Sequence, residues 1–278
     1  MPDFIKQNVQ WFPGHMAKTR RLIKESLNLV DGVVEIVDAR IPVSSRNPEL
    51  DSIIQKKPRI ILLNKCDVAD SQATSMWLKY FRDKGFHAAA VDCRTGKGLN
   101  SFDSLVKQAL KSVIERNYAK GMSGKPLRLM VVGIPNTGKS SFINRMGKNA
   151  KAKVADKAGV TRQNQWFVVG NGIELLDTPG VLWPKFDDPE VGDKLAFIGS
   201  VKDEVTDKET LACRLLESLA ATRPQAIEDR YKISGISGLQ GWEILEMIGK
   251  KRGFLIKGGE IDYRSRRIQR RKIGQNYP

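Results

Sequence analysis

The apolar run Leu127-Arg128-Leu129-Met130-Val131-Val132 gives way to Gly133-Ile134-Pro135-Asn136-Thr137-Gly138-Lys139-Ser140, and then to a segment with helical spacing. Strand, glycine-bearing loop and helix in that order leave few folds open. The two loop glycines let the backbone curl round an anion, so that successive N–H groups and the positive end of the helix face it. Lys139 is placed to reach the β- and γ-phosphates of a nucleotide and Ser140 to ligate magnesium. Asn136, Thr137, Gly138 and Ser141 complete the expected nucleotide-facing set. The full eight-residue spacing at a strand-to-helix junction argues against a chance glycine-lysine loop, and predicts a nucleoside-phosphate site.

Upstream, the strand Arg59-Ile60-Ile61-Leu62-Leu63 ends in Asn64-Lys65-Cys66-Asp67. A carboxylate at Asp67 can accept two hydrogen bonds from the ring N–H and exocyclic amine of guanine, a donor pair that adenine lacks. A buried carboxylate left unpaired by the wrong base costs kilocalories, so this residue predicts guanine selectivity. Asn64 would hold the loop and the purine edge, with the Lys65 stem over the base face. A further strand, His87 to Val91, leads into Asp92-Cys93-Arg94-Thr95-Gly96. Two readings of that loop stay open: amides offered to the guanine carbonyl, with Cys93 using its main chain, or an ordinary strand-to-helix turn.

The rest of the chain alternates in the same way. A helix over about residues 17–28 precedes a buried strand at Gly32–Val37 and the loop 41–48. Arg40 and Arg46 could face phosphate or RNA; the alternative is structural, with Asp38 and Arg40 fixing that loop through hydrogen bonds. Helices are predicted over 72–84 and 100–118, followed by the glycine-rich linker Ala119 to Pro126. After the phosphate loop, Thr161 is a candidate second magnesium ligand that would sense the γ-phosphate. Trp166–Val169 and Ile173–Leu176 read as a hairpin across Gly170-Asn171-Gly172. Its second strand runs into Asp177-Thr178-Pro179-Gly180, where Asp177 would hold the magnesium shell and the Gly180 N–H would bond the γ-phosphate. The expected fold is α/β, a doubly wound, mostly parallel six-stranded sheet over 1–183, with a small all-α domain over 184–278. Helices in that domain are predicted over 190–198, 207–221, 225–231 and 241–250.

Charge points to a second partner. Lys and Arg number 47 against 31 Asp and Glu, a formal net charge of +16. Much of the excess lies late in the chain, at Lys250, Lys251 and Arg252 and in Arg264–Lys272, the footprint expected of a polyanion-binding surface. Three scattered cysteines exclude a disulfide framework and a zinc site. Met1–Gln10 lacks the apolar core of a signal peptide, and no stretch is long and apolar enough to span a membrane. A soluble, cytoplasmic protein is expected.

The order of the motifs is unusual. Ras-like GTPases carry their guanine-reading loops after the phosphate loop, whereas here Asn64–Asp67 and Asp92–Arg94 come before it. The chain resembles the circularly permuted GTPases. With Trp11-Phe12-Pro13-Gly14-His15-Met16-Ala17-Lys18, Val37-Asp38-Ala39-Arg40-Ile41-Pro42 and Leu176–Gly180, it is similar to the bacterial ribosome-biogenesis GTPase A family, also called YlqF. That resemblance implies a GTP/GDP switch acting late in assembly of the large ribosomal subunit. It binds the precursor particle and its rRNA through a helical carboxy-terminal domain and is stimulated by them. Ribosomal proteins are further expected partners, and the free protein is expected to be a monomer away from membranes. The water-orienting Gln of Ras-like enzymes is replaced by Val181, and the resemblance places His15 as the catalytic candidate, against a packing or helix-capping role. In related GTPases an Asn at the place of Asn136 binds potassium, which implies a potassium ion here. Asp92-Cys93-Arg94 stands where the family has a Ser-Ala-Lys-like loop, and the ending from Arg264 is shorter and more basic. Two other classes remain to be weighed. An RNA-binding factor with a structural nucleotide would not need the γ-phosphate sensors Thr161 and Asp177. A small-molecule kinase conflicts with Asn64–Asp67.

Overall fold

The computed structural model describes residues 15–55, 57–147, 165–183, 186, 188–201 and 207–253, residues 15–18 as helical backbone only. The His15 side chain, Thr161 and the basic run 264–272 lie outside the described residues. Two compact units result, one within Trp11–Lys185 and the other within Phe186–Tyr277.

The larger unit is built on six strands: β1 (Gly32–Asp38), β2 (Arg59–Asn64), β3 (His87–Val91), β4 (Leu127–Val132), β5 (Gln165–Gly170) and β6 (Ile173–Asp177). They lie in the order β3-β2-β1-β4-β6-β5. Every pairing is parallel except the β5–β6 hairpin. All residues of β1 and β2 are buried, which a strand covered on both faces requires and which explains their near-continuous apolar runs. Alternation along the strands sends residues to two cores. Val34, Ile36, Ile60, Leu62, Leu129 and Val131 pack against α4 (Phe102–Ala109), α5 (Lys111–Ala119) and α6 (Lys139–Met146). Val33, Val37, Ile61, Leu63, Met130 and Val132 face α1 (His15–Ser26), α2 (Glu49–Ile54) and α3 (Ser71–Asp83). The sheet is therefore doubly wound, and its strand ends gather the loops at one edge.

Two elements differ from the sequence expectation. The helix expected over 100–118 is divided at Leu110, whose backbone leaves helical geometry (φ −102°, ψ 18°). The fully buried Leu110 side chain joins Val106 and Val113 in the core. The segment after Pro48, for which the sequence predicts no element, contains α2, which buries Leu50, Ile53 and Ile54.

The smaller unit holds α7 (Pro189–Phe197), α8 (Lys208–Thr222), α9 (Pro224–Tyr231) and α10 (Gly241–Lys251). Pro189 and Pro224 each open a helix, where a missing N–H costs nothing. Asp207 caps α8 by accepting from the Thr210 N–H, and Gln240 and Glu243 form a capping box on α10. Cys213, Leu216, Ile227, Tyr231, Ile236, Ile244 and Ile248 close its core.

A buried ion network pins β1 to β2 and α2. Glu35, 1% exposed, accepts from Arg46 at 3.1 Å through both oxygens and from Arg59 at 3.3 Å. Both arginines also pair with Asp51. Arg46 and Arg59 therefore serve the fold and are not aimed at a ligand. Removing the central carboxylate leaves the two arginines only the solvent-exposed Asp51 among these carboxylates, a defect of the kind that costs about 3–5 kcal/mol. Glu35→Ala should lower the stability of the larger unit by roughly that amount in urea unfolding; an unmoved midpoint would show the network dispensable.

Candidate nucleotide site

The phosphate loop joins β4 to α6, as its spacing predicts. Lys139, the first residue of α6, is 7% exposed. Its Nζ donates to the Ile134 carbonyl at 2.9 Å, and Thr137 Oγ1 donates to the same carbonyl at 3.0 Å. Burial pushes the Lys139 ammonium down to about 8, with Asp177 pulling the other way. Among the described residues this ammonium makes no direct ion pair, and a phosphate would supply one. Ser140 and Ser141 follow in the first turn of α6, both half-buried.

Asn64 ties the loops together. Its Nδ2 donates to the Thr137 carbonyl at 2.7 Å and its Oδ1 accepts the Cys93 N–H at 3.0 Å. The phosphate loop, the β2 loop and the β3 loop thus meet on one buried amide. Gly138 makes this possible. It has φ +101°, and any Cβ there would fall on the Asn64 amide. Lys65, next in sequence, donates from Nζ to the Asn136 carbonyl at 2.8 Å. Both Lys65 (φ 63°) and Asn136 (φ 62°) take left-handed backbone.

Asp67 lies at this edge with its side chain 25% exposed and pairs with Arg94 at 3.3 Å. Asp92, one strand over, turns its carboxylate into its own loop. It accepts from the Arg94 N–H at 2.8 Å and Thr95 Oγ1 at 2.6 Å. Burial alone would raise the Asp92 pKa, but these hydrogen bonds outweigh it and hold the carboxyl below its ordinary value. Cys93 is buried, its thiol pushed up to about 12 by burial and by Asp92 and Cys66. That thiol is chemically quiet, and the residue acts here through its N–H. Cys66 is half-buried, its thiol also raised by burial.

On the other side of the phosphate loop, Asp177 closes β6 opposite Val131 of β4 and is 2% exposed. Thr178 Oγ1 donates to the Val131 carbonyl at 2.6 Å, drawing the following loop over the strand end. Gly180 abuts the phosphate loop so closely that a Cβ would stand 2.8 Å from Pro135 N and 3.0 Å from Lys139 Nζ. Val181 donates its N–H to the Gly133 carbonyl at 3.3 Å. The Val181 and Leu182 side chains are buried, so neither can orient a water. A residue the sequence reading passed over, Asn47, supports this loop through Nδ2 to the Val181 carbonyl at 3.3 Å. Its one sequence signal is the Asn-Pro pair at a helix start.

In the smaller unit, Lys250, Lys251 and Arg252 end α10 and are exposed. Lys250 pairs with Glu246 at 3.0 Å. Arg252 donates to the Arg230 carbonyl at 3.2 Å and lies 5.6 Å from the Tyr231 ring centroid.

Comparison with known proteins agrees with this geometry. Residues 128–229 match a family model described as 50S ribosome-binding GTPase. Ribosome biogenesis GTPase A of Priestia megaterium is 48% identical over 257 residues, 92% of this chain and 88% of that protein. Among solved structures, GDP-bound TM YlqF is similar at TM-score 0.64 and 28% identity, over 92% of this chain and 95% of that one. GNP-bound YlqF from T. maritima gives 0.60 and 29%, over 93% and 94%.

Lys139 carries a pH signature. Below about pH 8 the free protein presents the ammonium; above it the amine dominates, and binding a phosphate must first take up a proton. The dissociation constant for a guanine nucleotide should therefore be about tenfold weaker at pH 9 than at pH 7. Titration calorimetry across that range checks it, and a flat profile would place the ammonium's pKa well above the window.

Proposed function

This chain belongs to the ribosome biogenesis GTPase A family, and on that premise we propose that GTP hydrolysis at this site times binding to, and release from, a precursor of the large ribosomal subunit. Membership makes it a GTP-hydrolysing ribosome assembly factor; what is proposed is how its own residues serve that work. The observation that carries the reading is the Asn64 amide bridging Thr137 and Cys93, because it assembles base-reading and phosphate-binding loops into one site.

In this reading Asp67 exchanges its partner Arg94 for guanine, the Lys65 stem covers the base, and Lys139 with the loop amides takes the phosphates. A magnesium ion would be held by Ser140, Asp177 and Thr161 and would neutralise phosphate charge. The hydroxyl of Ser140 and the buried carboxylate of Asp177 are hard oxygen donors on adjacent elements, which suits that cation. The amide oxygen of Asn136 fits a potassium ion in the same sense. Gly180, against the phosphate loop, is placed to report on the γ-phosphate by its N–H. His15, in the first turn of α1, is the proposed water-orienting group, since only hydrocarbon follows Gly180. The smaller unit would engage rRNA phosphates through Lys250, Lys251 and Arg252, with ribosomal proteins as neighbours and a monomer as the free form. Among the described residues no helix is long and apolar enough to cross a membrane.

Two outcomes test this. With large-subunit precursors present, His15→Ala should keep nucleotide affinity while stimulated turnover falls roughly 10²-fold, the usual scale for a positioned acid–base group. Wild-type turnover in that variant would return His15 to packing. Neutralising Lys250, Lys251 and Arg252 together should reduce the slope of log affinity for the particle against log salt by about 2. An unchanged slope would move the RNA surface elsewhere.

A further inference from the structure

Asp38 ends β1 with 0% of its surface exposed, and its carboxylate serves two cations at once. Oδ1 accepts from the Arg40 N–H at 3.1 Å and Arg40 Nε at 2.8 Å, and Oδ2 accepts from Arg40 Nη2 at 2.7 Å. Lys65 Nζ stands 3.0 Å from the same Oδ2. The parallel register explains the meeting: Asp38 pairs with Asn64, the last residue of β2, so Lys65 emerges beside it. The ladder is continued by the Ala39 N–H, which donates to the Asn64 carbonyl at 2.8 Å.

Lys65 has a second bond, to the Asn136 carbonyl. One ammonium therefore connects the end of β1 to the top of the phosphate loop. The two residues it joins, Lys65 and Asn136, both hold left-handed backbone without being glycine. Such conformations are uncommon for residues with a side chain and persist where the surroundings over-determine them.

We propose that Asp38 is a positioning residue for nucleotide binding: its buried carboxylate holds the Lys65 ammonium against the Asn136 carbonyl and so fixes the base-reading loop to the phosphate loop. This rests on the reading of Asn64–Asp67 as the base-reading loop. The charge balance gives it direction. Without the carboxylate, Arg40 and Lys65 are two cations side by side with the anion between them gone, and the one nearer solvent is driven toward water. Lys65, with 29% of its side chain exposed against 5% for Arg40, is the one with a way out. Its departure removes one hold on the Asn136 carbonyl and uncovers the base.

A merely structural brace makes a different demand. If Asp38 mattered only through Arg40, the loop after β1 would be its business, and losing either partner would be equally harmful. That loop is independently held by Ser45 Oγ, which accepts the Asp38 N–H at 2.9 Å.

The test is the release rate of a fluorescent GDP analogue from Asp38→Asn, Lys65→Met, their double variant and Arg40→Met. Asp38→Asn should speed release about 10- to 100-fold, the effect of freeing a charge-assisted contact. In the Lys65→Met background the same substitution should add less than about threefold, because the two act on one link. Arg40→Met should leave release near the wild-type rate, since Lys65 keeps its carboxylate; it also keeps the proposal testable should Asp38→Asn not fold. Additive effects of Asp38→Asn and Lys65→Met, or an Arg40→Met variant releasing GDP as fast as expected for Asp38→Asn, would overturn the proposal. Asp67→Asn in the same assay separates the two layers. If it fails to shift preference from guanine to xanthine nucleotides, the base-reading assignment itself is at fault; if it shifts, only the role of Asp38 is.

Discussion

The Asn64 side-chain amide spends both of its ends on backbone, donating to Thr137 and accepting from Cys93. Three loops that lie far apart in sequence meet on that one group. Because the closure is made by hydrogen bonds across strand ends, it does not matter in which order the chain visits the loops. A circular permutation can therefore carry the guanine-reading segments ahead of the phosphate loop without altering the site. What must be conserved in space is the approach of Gly138 to the Asn64 amide, which any side chain at that glycine would block.

The two halves of the site are electrostatically unlike. On the base side the charges are compensated, the buried Asp38 by Arg40 and Lys65 and the more exposed Asp67 by Arg94. On the phosphate side Lys139 is buried, steadied among the described residues by the Ile134 carbonyl and the field of Asp177, and its pKa falls from 10.5 to about 8. That shift corresponds to about 3 kcal/mol held against the charged form. An arriving phosphate would favour the charged form, so the phosphate half suits an anion while the base half is set to discriminate.

Much of this was legible in the chain. Strands β1, β2 and β4 sit between two layers of helices and so read as unbroken apolar runs. The phosphate loop announces itself by spacing, and the β5–β6 hairpin by Gly170-Asn171-Gly172. In the smaller unit, proline at the first helical position and polar caps set the helix starts. What escaped was tertiary. The six residues of α2 are too short to show a helical period. The division of the helix at Leu110 has no proline or glycine to mark it. A glutamate inside β1 gives no sign of the arginines that will meet it from residues 46 and 59. Asp38 was read as a loop brace through Arg40, and its second partner, Lys65, became visible only once β1 and β2 were set in register.

That register also explains the spacing of the site. Strand β1 lies between β2, which delivers the base-reading loop, and β4, which delivers the phosphate loop. Neighbouring strands are about 4.8 Å apart, so two steps across the sheet set the loops at about 10 Å, the reach of a nucleoside from base to phosphates. One further step in the same direction, from β4 to β6, brings Asp177 to the far end, where a γ-phosphate and its cation would lie. The central strand delivers neither of these two loops, yet it sets the distance between them. Its carboxyl end is where a difference in that distance would be felt first, and there the chain places Asp38, an anion joined to the loop on one side and, through Lys65, to the loop on the other.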